Sequence, residues 1–418
     1  MQMLKASDTD MLRRLAAEMA TVAALPVQRE KAELWGRLNR REKVRPLVGI
    51  TEIPWHEMDA DGELACQCED AWAHGRELAL RRLLYQWRHF PGDMIVSDFI
   101  ESPIVWRSTG LGISEDVHVE RTDPRSGVVS REFHPQIVEP ADIDKIQTPV
   151  VTRDDEETER QFARNSAVFG DILPVRKTGI RHIWFTPWDN LIRWWGVQQA
   201  MMDLVLRPDM VHAAVDRFVE AKMCELDQME ALDLFSTGAA NFRVGSGGYG
   251  YTDELPGAPF DPEHVRPHNL WGCSNAQIFS EVSPEMHWDF AVRHDLPWLE
   301  RWGATYYGCC EPLDLKMEIL RRIPNLRKIS MSPWIDVDRA AKEVGADYVF
   351  SYKPNPALVA EDGWRLGHAR EVLADVLERT SGCCREIILK DISTVRDDPR
   401  RLWEWESMAM ELARSADA

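Results

Sequence analysis

Eight short apolar segments, each next to a helix-like stretch, constrain the fold of this 418-residue chain more than any other feature. They run from residue 47 to residue 394 and read LVGITEI, DMIVSDFIES, RHIWFTPWDN, LDLFSTG, GATYYG, LRKISMSP, ADYVFSYKPNP and REIILKDIST. The stretches between most of them have the helical spacing of apolar residues. Alternation of strand and helix predicts a parallel sheet covered by helices, and eight such units predict a (β/α)8 barrel, that is, a TIM barrel.

Two regions stand outside this alternation. Residues 1–43 have helical periodicity, and we expect them to form an N-terminal helical cap over one end of a barrel that occupies residues 44–418. Residues 105–150 are polar and β-prone, with the turn sequence DPRSG in their middle. We interpret them as an inserted β-hairpin flap on the loop side of the barrel, in which VHVERT pairs with VVSREFH.

The charge and hydropathy of the chain limit the classes of partner that it can bind. A net charge of −19 argues against nucleic acid and against anionic membrane surfaces. No apolar run approaches the roughly 20 residues of a membrane span, and the stretch MQMLKASDTDMLRRLAAEMA contains no apolar run of the length that a signal peptide has. We therefore expect a cytoplasmic protein with a small-molecule substrate. In that compartment the eight cysteines are more typical of thiols or metal ligands than of disulfides.

The stretch GATYYGCCEPLDLKMEIL contains the first candidate site. Cys309, Cys310 and Glu311 follow the predicted fifth strand, at the end where TIM-barrel enzymes carry their chemistry. Sulfur and carboxylate ligands suit zinc, so we expect a metal site built from Cys273, Cys309, Cys310 and Glu311. Because alternate strand residues face opposite ways, we expect only one of the two adjacent cysteines to face the barrel axis. Two small buried residues that close a strand are the alternative.

Other polar and aromatic residues follow the remaining predicted strands. As further catalytic groups that exchange protons or accept hydrogen bonds we expect Glu52, His56, Asp98, Lys390 and Asp391. As substrate-binding groups we expect Glu101, Trp188, Asp189, Asn241, Tyr307, Trp334, Lys353 and Asn355. The alternatives are a backbone-bonded glutamate, a solvated histidine, core tryptophans and a lysine–aspartate salt bridge.

Three segments, in this order, resemble the uroporphyrinogen decarboxylase superfamily, which includes corrinoid-linked and coenzyme M methyltransferases. They are PWDNLIRWWGVQQAMMDLVLRPDMVHAAVDRF, EVSPEMHWDFAVRHDLPWLERWG and LRKISMSPWIDVDRAAKEVGADYVFSYKPNPALVA. The resemblance covers roughly residues 40 to 412 and is strongest from residue 180 onward. It implies the same TIM barrel, whereas function has to come from the site itself.

The chain departs from both branches of that superfamily. The decarboxylases carry an arginine-rich RQAGRY segment after the first strand, where this chain has EIPWHEMDADGEL, whose carboxylates would repel a polycarboxylate substrate. The methyltransferases bind zinc through His-x-Cys after the fifth strand and a cysteine after the last strand. Tyr307-Gly308-Cys309 keeps that cysteine without the histidine. Cys383 and Cys384 precede the last strand, so we expect them to be structural and at the opposite end of the barrel.

The resemblance implies an enzyme that is a methyltransferase. It would move a methyl group between a small substrate and a separate corrinoid protein, with or without zinc. One alternative is a metal-free carboxy-lyase that decarboxylates a small acid or a porphyrinogen-like substrate through Lys390, Asp98 and His56. Another is a non-catalytic protein that binds a small ligand or a corrinoid, which the many ionisable groups at strand ends disfavour. A homodimer is compatible with the sequence, which does not determine the oligomeric state.

Overall fold

The computed structural model describes residues 4–121, 124–125, 127, 129–237 and 241–416. Its helices are α1 (Ala6–Ala23), α2 (Pro26–Asn39), α3 (Ala71–His89), α4 (Asp155–Phe169), α5 (Pro187–Trp195), α6 (Val197–Leu206), α7 (Pro208–Ala231), α8 (Pro284–His287), α9 (Arg293–Leu299), α10 (Met317–Leu320), α11 (Val337–Val344), α12 (Ala357–Ala360), α13 (Leu366–Arg379) and α14 (Arg400–Ser415). A π-helix, Trp288–Val292, joins α8 to α9. Among these described residues, no helix is long and apolar enough to cross a lipid bilayer.

The strands are β1 (Leu47–Ile50), β2 (Ile100–Pro103), β3 (Trp106–Ser108), β4 (Val117–Glu120), β5 (Ser130–Phe133), β6 (Val151–Arg153), β7 (Val175–Thr178), β8 (Trp271–Ser274), β9 (Ala304–Tyr307), β10 (Leu326–Met331), β11 (Val349–Tyr352) and β12 (Cys384–Leu389). Six of them form a central sheet in the order β1-β12-β11-β10-β9-β8. Every pair in this sheet is parallel, so all six carboxyl ends lie along one edge. The fold is therefore mixed α/β around a mostly parallel sheet, with helices packed outside it.

The eight predicted strands do not all form as a single closed sheet in the described part of the chain. Those predicted first, fifth, sixth, seventh and eighth correspond to β1, β9, β10, β11 and β12. The segment DMIVSDFIES is extended into a strand only from Ile100, and RHIWFTPWDN has no strand of its own. Of the predicted fourth strand, only Phe235 pairs, in an isolated parallel bridge with Ile180, and its last residue, Gly238, lies outside the described residues.

Where a predicted strand does not form, side chains bond some of the backbone groups that a neighbouring strand would otherwise bond. The Val96 N–H donates to Gln28 Oε1 at 2.9 Å, and Trp35 Nε1 donates to the Asp93 carbonyl at 2.9 Å. His182, in the predicted third strand, links β8 to the glycine-rich loop. Its Nδ1 lies 3.0 Å from the Trp271 carbonyl, and its Nε2 accepts from the backbone N–H of Gly245 at 3.0 Å. Backbone groups that bond side chains in this way are satisfied without a neighbouring strand.

The two N-terminal helices pack in different places, α1 against α3 and α4 and α2 beside the amino ends of two central strands. In α1, Leu12, Leu15 and Met19 pack with apolar residues of α3 and α4. In α2, Trp35 packs in a cluster with Val349 and Cys384, which are the first residues of β11 and β12. Cys384 lies at the start of β12, at the end of the sheet opposite to Cys309 and Cys310, as expected.

The predicted flap contains the expected hairpin. Strands β4 and β5 pair antiparallel, with Val117 opposite Phe133, whereas Thr122 and Val128 of the predicted pairing lie outside the described residues. At its base β3 pairs antiparallel with β6. Near its tip, Arg125 Nη1 lies 3.2 Å from Asp397 Oδ1, in the loop that follows β12. The flap therefore reaches the carboxyl-end side of the sheet.

Candidate active site

Two thiols and a lysine meet at the carboxyl edge of the central sheet. Lys390 Nζ lies 3.7 Å from Cys309 Sγ and 3.9 Å from Cys310 Sγ, and the two sulfurs are 3.6 Å apart. Lys390 also forms an ion pair with Asp391, whose Oδ2 is 3.7 Å from Cys310 Sγ. We call Cys309, Cys310, Lys390 and Asp391 the thiol–lysine cluster. The cysteines follow β9 and the other two residues follow β12, as predicted.

Both cysteines reach the same space because β9 ends before them. The strand stops at Tyr307, and Gly308 has a φ of 98°, a conformation that side chains other than hydrogen rarely allow. A Cβ on Gly308 would lie 2.5 Å from Leu313 Cδ1. The expected alternation of facing residues is therefore wrong here, and both sulfurs line the same two cavities.

Glu311 holds the turn that carries the cysteines. Its Oε1 accepts from the backbone N–H of Ala276 at 3.1 Å, and its Oε2 accepts from that of Cys309 at 2.8 Å. The side chain is buried, and burial raises its pKa above the ordinary value. On the other side of the turn, Ser330 Oγ donates to the Cys309 carbonyl at 2.7 Å. Both oxygens of Glu311 are thus directed at the backbone, which suits a positioning role.

Glu52, at the end of β1, ties the cluster to a further cation. Its Oε1 lies 2.6 Å from Arg243 Nη1, and its Oε2 accepts from the backbone N–H of Asp391 at 3.0 Å. Lys390 Nζ is 3.9 Å from the same Oε2. Glu52 and Asp391 have φ values of 55° and 57°. Left-handed backbone at residues other than glycine is strained and is concentrated at functional sites.

Mutual contacts set the charges in this site. The hydrogen bond from Cys309 lowers the pKa of Cys310, burial opposes this, and the Lys390 ammonium adds to the lowering. The hydrogen bond to Cys310, followed by burial, raises the pKa of Cys309. Burial lowers the pKa of Lys390, but the sulfurs and Glu52 raise it by more. The arrangement favours a thiolate on Cys310, a thiol on Cys309 and an ammonium on Lys390.

The two carboxylates beside the cluster differ in ionisation. Burial opposes the ionisation of Glu52, but its hydrogen bond with Asp391 and the charge of Arg243 lower its pKa to about 2. Burial, followed by the hydrogen bond with Glu52, raises the pKa of Asp391. The pair therefore contains one strongly ionised carboxylate, Glu52, and one carboxyl group, Asp391, that holds its proton more readily than an ordinary aspartate.

Two adjoining cavities share the thiol–lysine cluster as a common wall. The first, of about 320 Å³, is also lined by Glu52, Trp184, Asp189, Arg243, Gly245, Ser246 and Gln277. The second, of about 170 Å³, is also lined by Ser332, Pro333, Trp334, Lys353, Pro354, Asn355 and Pro356. Such volumes suit a small molecule that contacts the sulfurs and the ammonium together.

A buried polar network lies beneath the cavities, inside the sheet. Lys353 Nζ donates to Tyr306 Oη at 2.9 Å and to Ser351 Oγ at 2.6 Å, and Ser351 Oγ donates to Glu386 Oε1 at 2.5 Å. Glu386 Oε2 lies 2.9 Å from Lys328 Nζ. Burial lowers the pKa of Lys353 to about 7, although Glu386 opposes the shift. Lys353 is thus a cavity residue that can be neutral or charged near neutral pH.

Several predicted site residues join the cavities. Those that line one or both of them are Glu52, Asp189, Cys309, Cys310, Trp334, Lys353, Asn355, Lys390 and Asp391. Asp189 Oδ1 accepts from Gln277 Nε2 at 2.8 Å, and burial raises the pKa of Asp189. Trp334 is 68% exposed and stands at the opening of the smaller cavity.

Other predicted site residues lie elsewhere. Trp188 and Tyr307 belong to the core, where Trp188 Nε1 donates to the Phe290 carbonyl and Tyr307 Oη meets His287 Nε2. Glu101 forms an ion pair with Arg181. Asp98 and Asn241 line a separate cavity of about 1030 Å³ between the N-terminal helices and the 95–99 segment. Residues 238–240, next to Asn241, lie outside the described residues. His56 lies 3.5 Å from Glu57 and lines neither of the two cavities.

The residues brought together do not fit a resident zinc ion. Cys273 is buried, and its thiol donates to the Ile183 carbonyl at 3.5 Å, while Glu311 bonds the backbone. Of the predicted ligands only Cys309 and Cys310 converge, and the Lys390 ammonium stands within 4 Å of both sulfurs, where it would repel a dication. In the part of the chain that the structure describes, no group of three or more His, Cys, Asp and Glu side chains is arranged to hold a metal.

Sequence reasoning missed Arg243, Ser246 and Tyr306, which complete the site. The glycine-rich run GSGGYG carried the signal, because its glycines let the loop pass close to the sheet interior. A Cβ on Gly245 would lie 2.5 Å from the Tyr306 ring. This loop brings Ser246 Oγ to 2.9 Å from Tyr306 Oη.

Comparison of the sequence with protein-family models finds no match, and comparison with curated proteins finds none either.

Proposed function

We propose that this chain is a methyltransferase that moves a methyl group between a small substrate and a corrinoid carried by a separate protein. One observation carries the proposal: the Cys309 and Cys310 sulfurs and the Lys390 amine share one wall of a substrate-sized cavity at the carboxyl edge of a parallel sheet. Parallel α/β folds bind their substrates at this edge. The resemblance of the sequence to the superfamily of corrinoid-linked methyltransferases points the same way.

The chemistry of the proposed reaction needs a stabilised anion. When a methyl group leaves a substrate oxygen or sulfur, that atom keeps the bonding electron pair and becomes negative. Lys390 stabilises this charge, since its ammonium faces the cavity. Asp391, with its raised pKa, exchanges the proton that the product atom gains or loses. Cys310, as a thiolate 3.9 Å from Lys390 Nζ, keeps the lysine charged and in position.

We place the corrinoid on a partner protein because the cavities are too small to hold it and are open to solvent on one side. Bound to that partner, a corrinoid supplies the methyl acceptor or donor. Cavities of about 320 and 170 Å³ hold a small substrate and not a macrocycle as well. Cys310 and Trp334 are exposed, which leaves the cavity open on the side where a partner would approach.

The proposal includes a (β/α)8 barrel of the uroporphyrinogen decarboxylase superfamily. Two irregular segments would complete the wall beside the six central strands. The Asp93 N–H donates to the Val48 carbonyl at 2.7 Å, next to β1. At the other edge, His182 contacts the Trp271 carbonyl of β8, and Ile180 bridges to Phe235. These contacts support closure through side chains and isolated bridges.

The test is methyl transfer from a panel of O-methyl, S-methyl and N-methyl compounds to free reduced cobalamin, followed by absorbance of methylcobalamin. We expect transfer with at least one compound, and a loss of about 100-fold in rate for Lys390→Met, since a lone charge-stabilising group contributes on that order. Cys66→Ser, which changes a thiol outside both cavities, is the matched control and should leave the rate unchanged. Equal rates for the wild type and Lys390→Met would contradict the proposal.

A second candidate function, decarboxylation of a small acid, is favoured by Lys353. Its Nζ is buried, its pKa is lowered to about 7, and it lines the smaller cavity together with Lys390. In that reaction the bond to the carboxylate carbon breaks, carbon dioxide leaves, and the carbanion takes a proton from a lysine ammonium. Two results together would favour decarboxylation. The wild type would release carbon dioxide from a small acid without transferring methyl groups to cobalamin, and Lys353→Met would lose this release.

A further inference from the structure

The two adjacent cysteines at the carboxyl edge of the sheet lie close enough to react with each other. Cys309 Sγ and Cys310 Sγ are 3.6 Å apart, and both line the same two cavities. Both thiols are free in the structure. A disulfide bond holds its sulfurs at about 2.05 Å, so a side-chain movement of roughly 1.5 Å would join them. The proposed methyl transfer gives neither sulfur a bond to make.

The two thiols differ in their access to solvent. Cys310 is exposed, whereas only 6% of Cys309 is exposed. The hydrogen bond from Cys309 lowers the pKa of Cys310, burial opposes this, and the charge of Lys390, whose Nζ is 3.9 Å away, adds to the lowering. An accessible thiol beside a cation, with a second thiol in contact, is the arrangement of redox-sensing cysteines. Cys310 is therefore the thiol that meets an oxidant first.

We propose that Cys309 and Cys310 are a modification site at which a hydroperoxide converts the two thiols into a disulfide bond. Cys310 Sγ, as the thiolate, attacks one peroxide oxygen. The O–O bond breaks, and the oxygen that leaves takes up the proton that Cys310 has lost.

The second step joins the two sulfurs. Cys309 Sγ attacks the sulfur of the sulfenic acid on Cys310 and gives up its own proton as the S–S bond forms. The S–O bond breaks, and the hydroxide that leaves takes this proton as water. The two sulfurs together lose two electrons and the peroxide gains them, so that hydrogen peroxide yields two molecules of water.

The disulfide is one that a dithiol reduces readily. Neighbouring Cα atoms are about 3.8 Å apart across a trans peptide bond, which is shorter than the roughly 4.4–6.8 Å that most disulfides span. Strained or exposed disulfides are the labile and regulatory ones, whereas structural disulfides resist reduction. The modification is therefore reversible.

Oxidation changes the wall that both cavities share. In the disulfide neither sulfur can become a thiolate, so Lys390 is left with Asp391 and with Glu52 Oε2, which is 3.9 Å from its Nζ, as acidic neighbours. The ammonium is held less firmly, and a neutral bridge replaces two thiols on the cavity surface. Oxidation therefore lowers the rate of whatever reaction the cavities carry. The modification itself does not rest on methyl transfer.

The chain offers a matched control in a second adjacent pair, Cys383 and Cys384. These side chains belong to different apolar clusters, which places them on opposite faces of the sheet. Both are buried, and burial raises the pKa of Cys383 to about 11 and also raises that of Cys384. This pair should therefore stay reduced under conditions that oxidise Cys309 and Cys310.

The test is treatment of the reduced full chain with hydrogen peroxide, followed by alkylation with iodoacetamide in denaturant and mass spectrometry of the tryptic peptides. Residues 302–316 and 380–385 form two peptides, each of which contains one adjacent pair. We expect peptide 302–316 to carry no alkyl group and to be two hydrogens lighter than its reduced form. Dithiothreitol should restore two alkyl groups, and peptide 380–385 should carry two throughout.

Single variants separate the two steps. In Cys309→Ser, Cys310 should stop at the sulfenic acid, which dimedone traps on that residue. In Cys310→Ser, Cys309 should remain a thiol, because the exposed nucleophile is absent. Lys390→Met should slow disulfide formation about tenfold, since the loss of the ammonium reduces the thiolate fraction of Cys310.

The readout is a mass, so failure of this proposal is distinguishable from failure of methyl transfer, and its main result needs no variant. Two alkyl groups on peptide 302–316, at a peroxide dose that fully oxidises free glutathione, would overturn the proposal. Sulfinic acid on Cys310 beside an alkylated Cys309 would overturn it as well. So would a dimedone adduct on Cys309 in Cys310→Ser without one on Cys310 in Cys309→Ser.

Discussion

At the residue scale, Gly308 determines how the thiols are presented. Its φ of 98° ends the regular geometry of β9 and lets Cys309 and Cys310 reach the same cavities. A side chain at this position would meet Leu313 and Ser330, the second of which also holds the Cys309 carbonyl. The glycine thus links the backbone turn to the reactive sulfurs.

Gly308→Ala should destabilise the protein by about 1–3 kcal/mol, because an added Cβ both strains the left-handed backbone and overpacks against Leu313. Gly367→Ala is the matched control, since no atom lies within 4 Å of an added Cβ and the residue is in α13. Chemical denaturation of the two variants measures the free energies of unfolding. A Gly308→Ala variant as stable as Gly367→Ala would show that the turn does not require glycine.

The sequence predicted part of the site at this scale because strand ends could be located. Cys309, Lys390 and Glu52 follow segments that form β9, β12 and β1, so their convergence followed from the expected parallel sheet. Arg243 and Tyr306 could not be predicted in the same way. The first lies on a loop, and the second depends on which residues of β9 face inward, which the pattern ATYY does not reveal because all four are buried.

At the element scale, a row of charged side chains connects three central strands. Lys328 of β10 pairs with Glu386 of β12, and Ser351 of β11 lies between them and donates to Glu386. Both charged side chains are fully buried. Burial lowers the pKa of Lys328, whereas Lys328 and Lys353 outweigh burial and lower the pKa of Glu386. Lys328 and Glu386 therefore form a buried ion pair inside the sheet.

Lys328→Met should cost about 3–5 kcal/mol, because it leaves the Glu386 carboxylate buried with less compensation. The double variant Lys328→Met/Glu386→Gln should cost less, since the amide keeps an acceptor for Ser351 without the buried charge. Denaturation midpoints of the wild type, the single variant and the double variant give the comparison. A double variant less stable than Lys328→Met would contradict a paired buried charge.

The elements themselves were predicted unevenly, for physical reasons. Segments rich in apolar and β-branched residues, such as the one that forms β12, were located from their pattern. Strand β8, Trp271–Ser274, was not predicted, because four residues that include a glycine have too weak a pattern. The 93–98 segment looks like a strand in sequence, but Gln28 and Trp35 of α2 bond two of its backbone groups, the Val96 N–H and the Asp93 carbonyl.

At the scale of the whole molecule, the two ends of the sheet have different roles. Helix α2 packs beside the amino ends of two central strands, where Trp35 and Cys384 are buried together. The carboxyl ends carry the thiol–lysine cluster, the two cavities and the loop that the flap contacts through Arg125. An apolar cluster thus lies at the amino end, and the thiol–lysine cluster lies at the carboxyl end.

The contacts with Cys309 and Lys390 lower the pKa of Cys310, and the rate of alkylation of each cysteine by iodoacetamide tests this shift most directly. Only the thiolate reacts, so a lowered pKa preserves reactivity as the pH falls, whereas a raised pKa removes it. Mass spectrometry between about pH 6 and 9 should show Cys310 reacting at lower pH than Cys66, whose pKa burial raises. In Lys390→Met the Cys310 profile should shift to higher pH, with Cys66 unchanged. A Cys310 profile that coincides with that of Cys66, or that Lys390→Met does not move, would contradict the account.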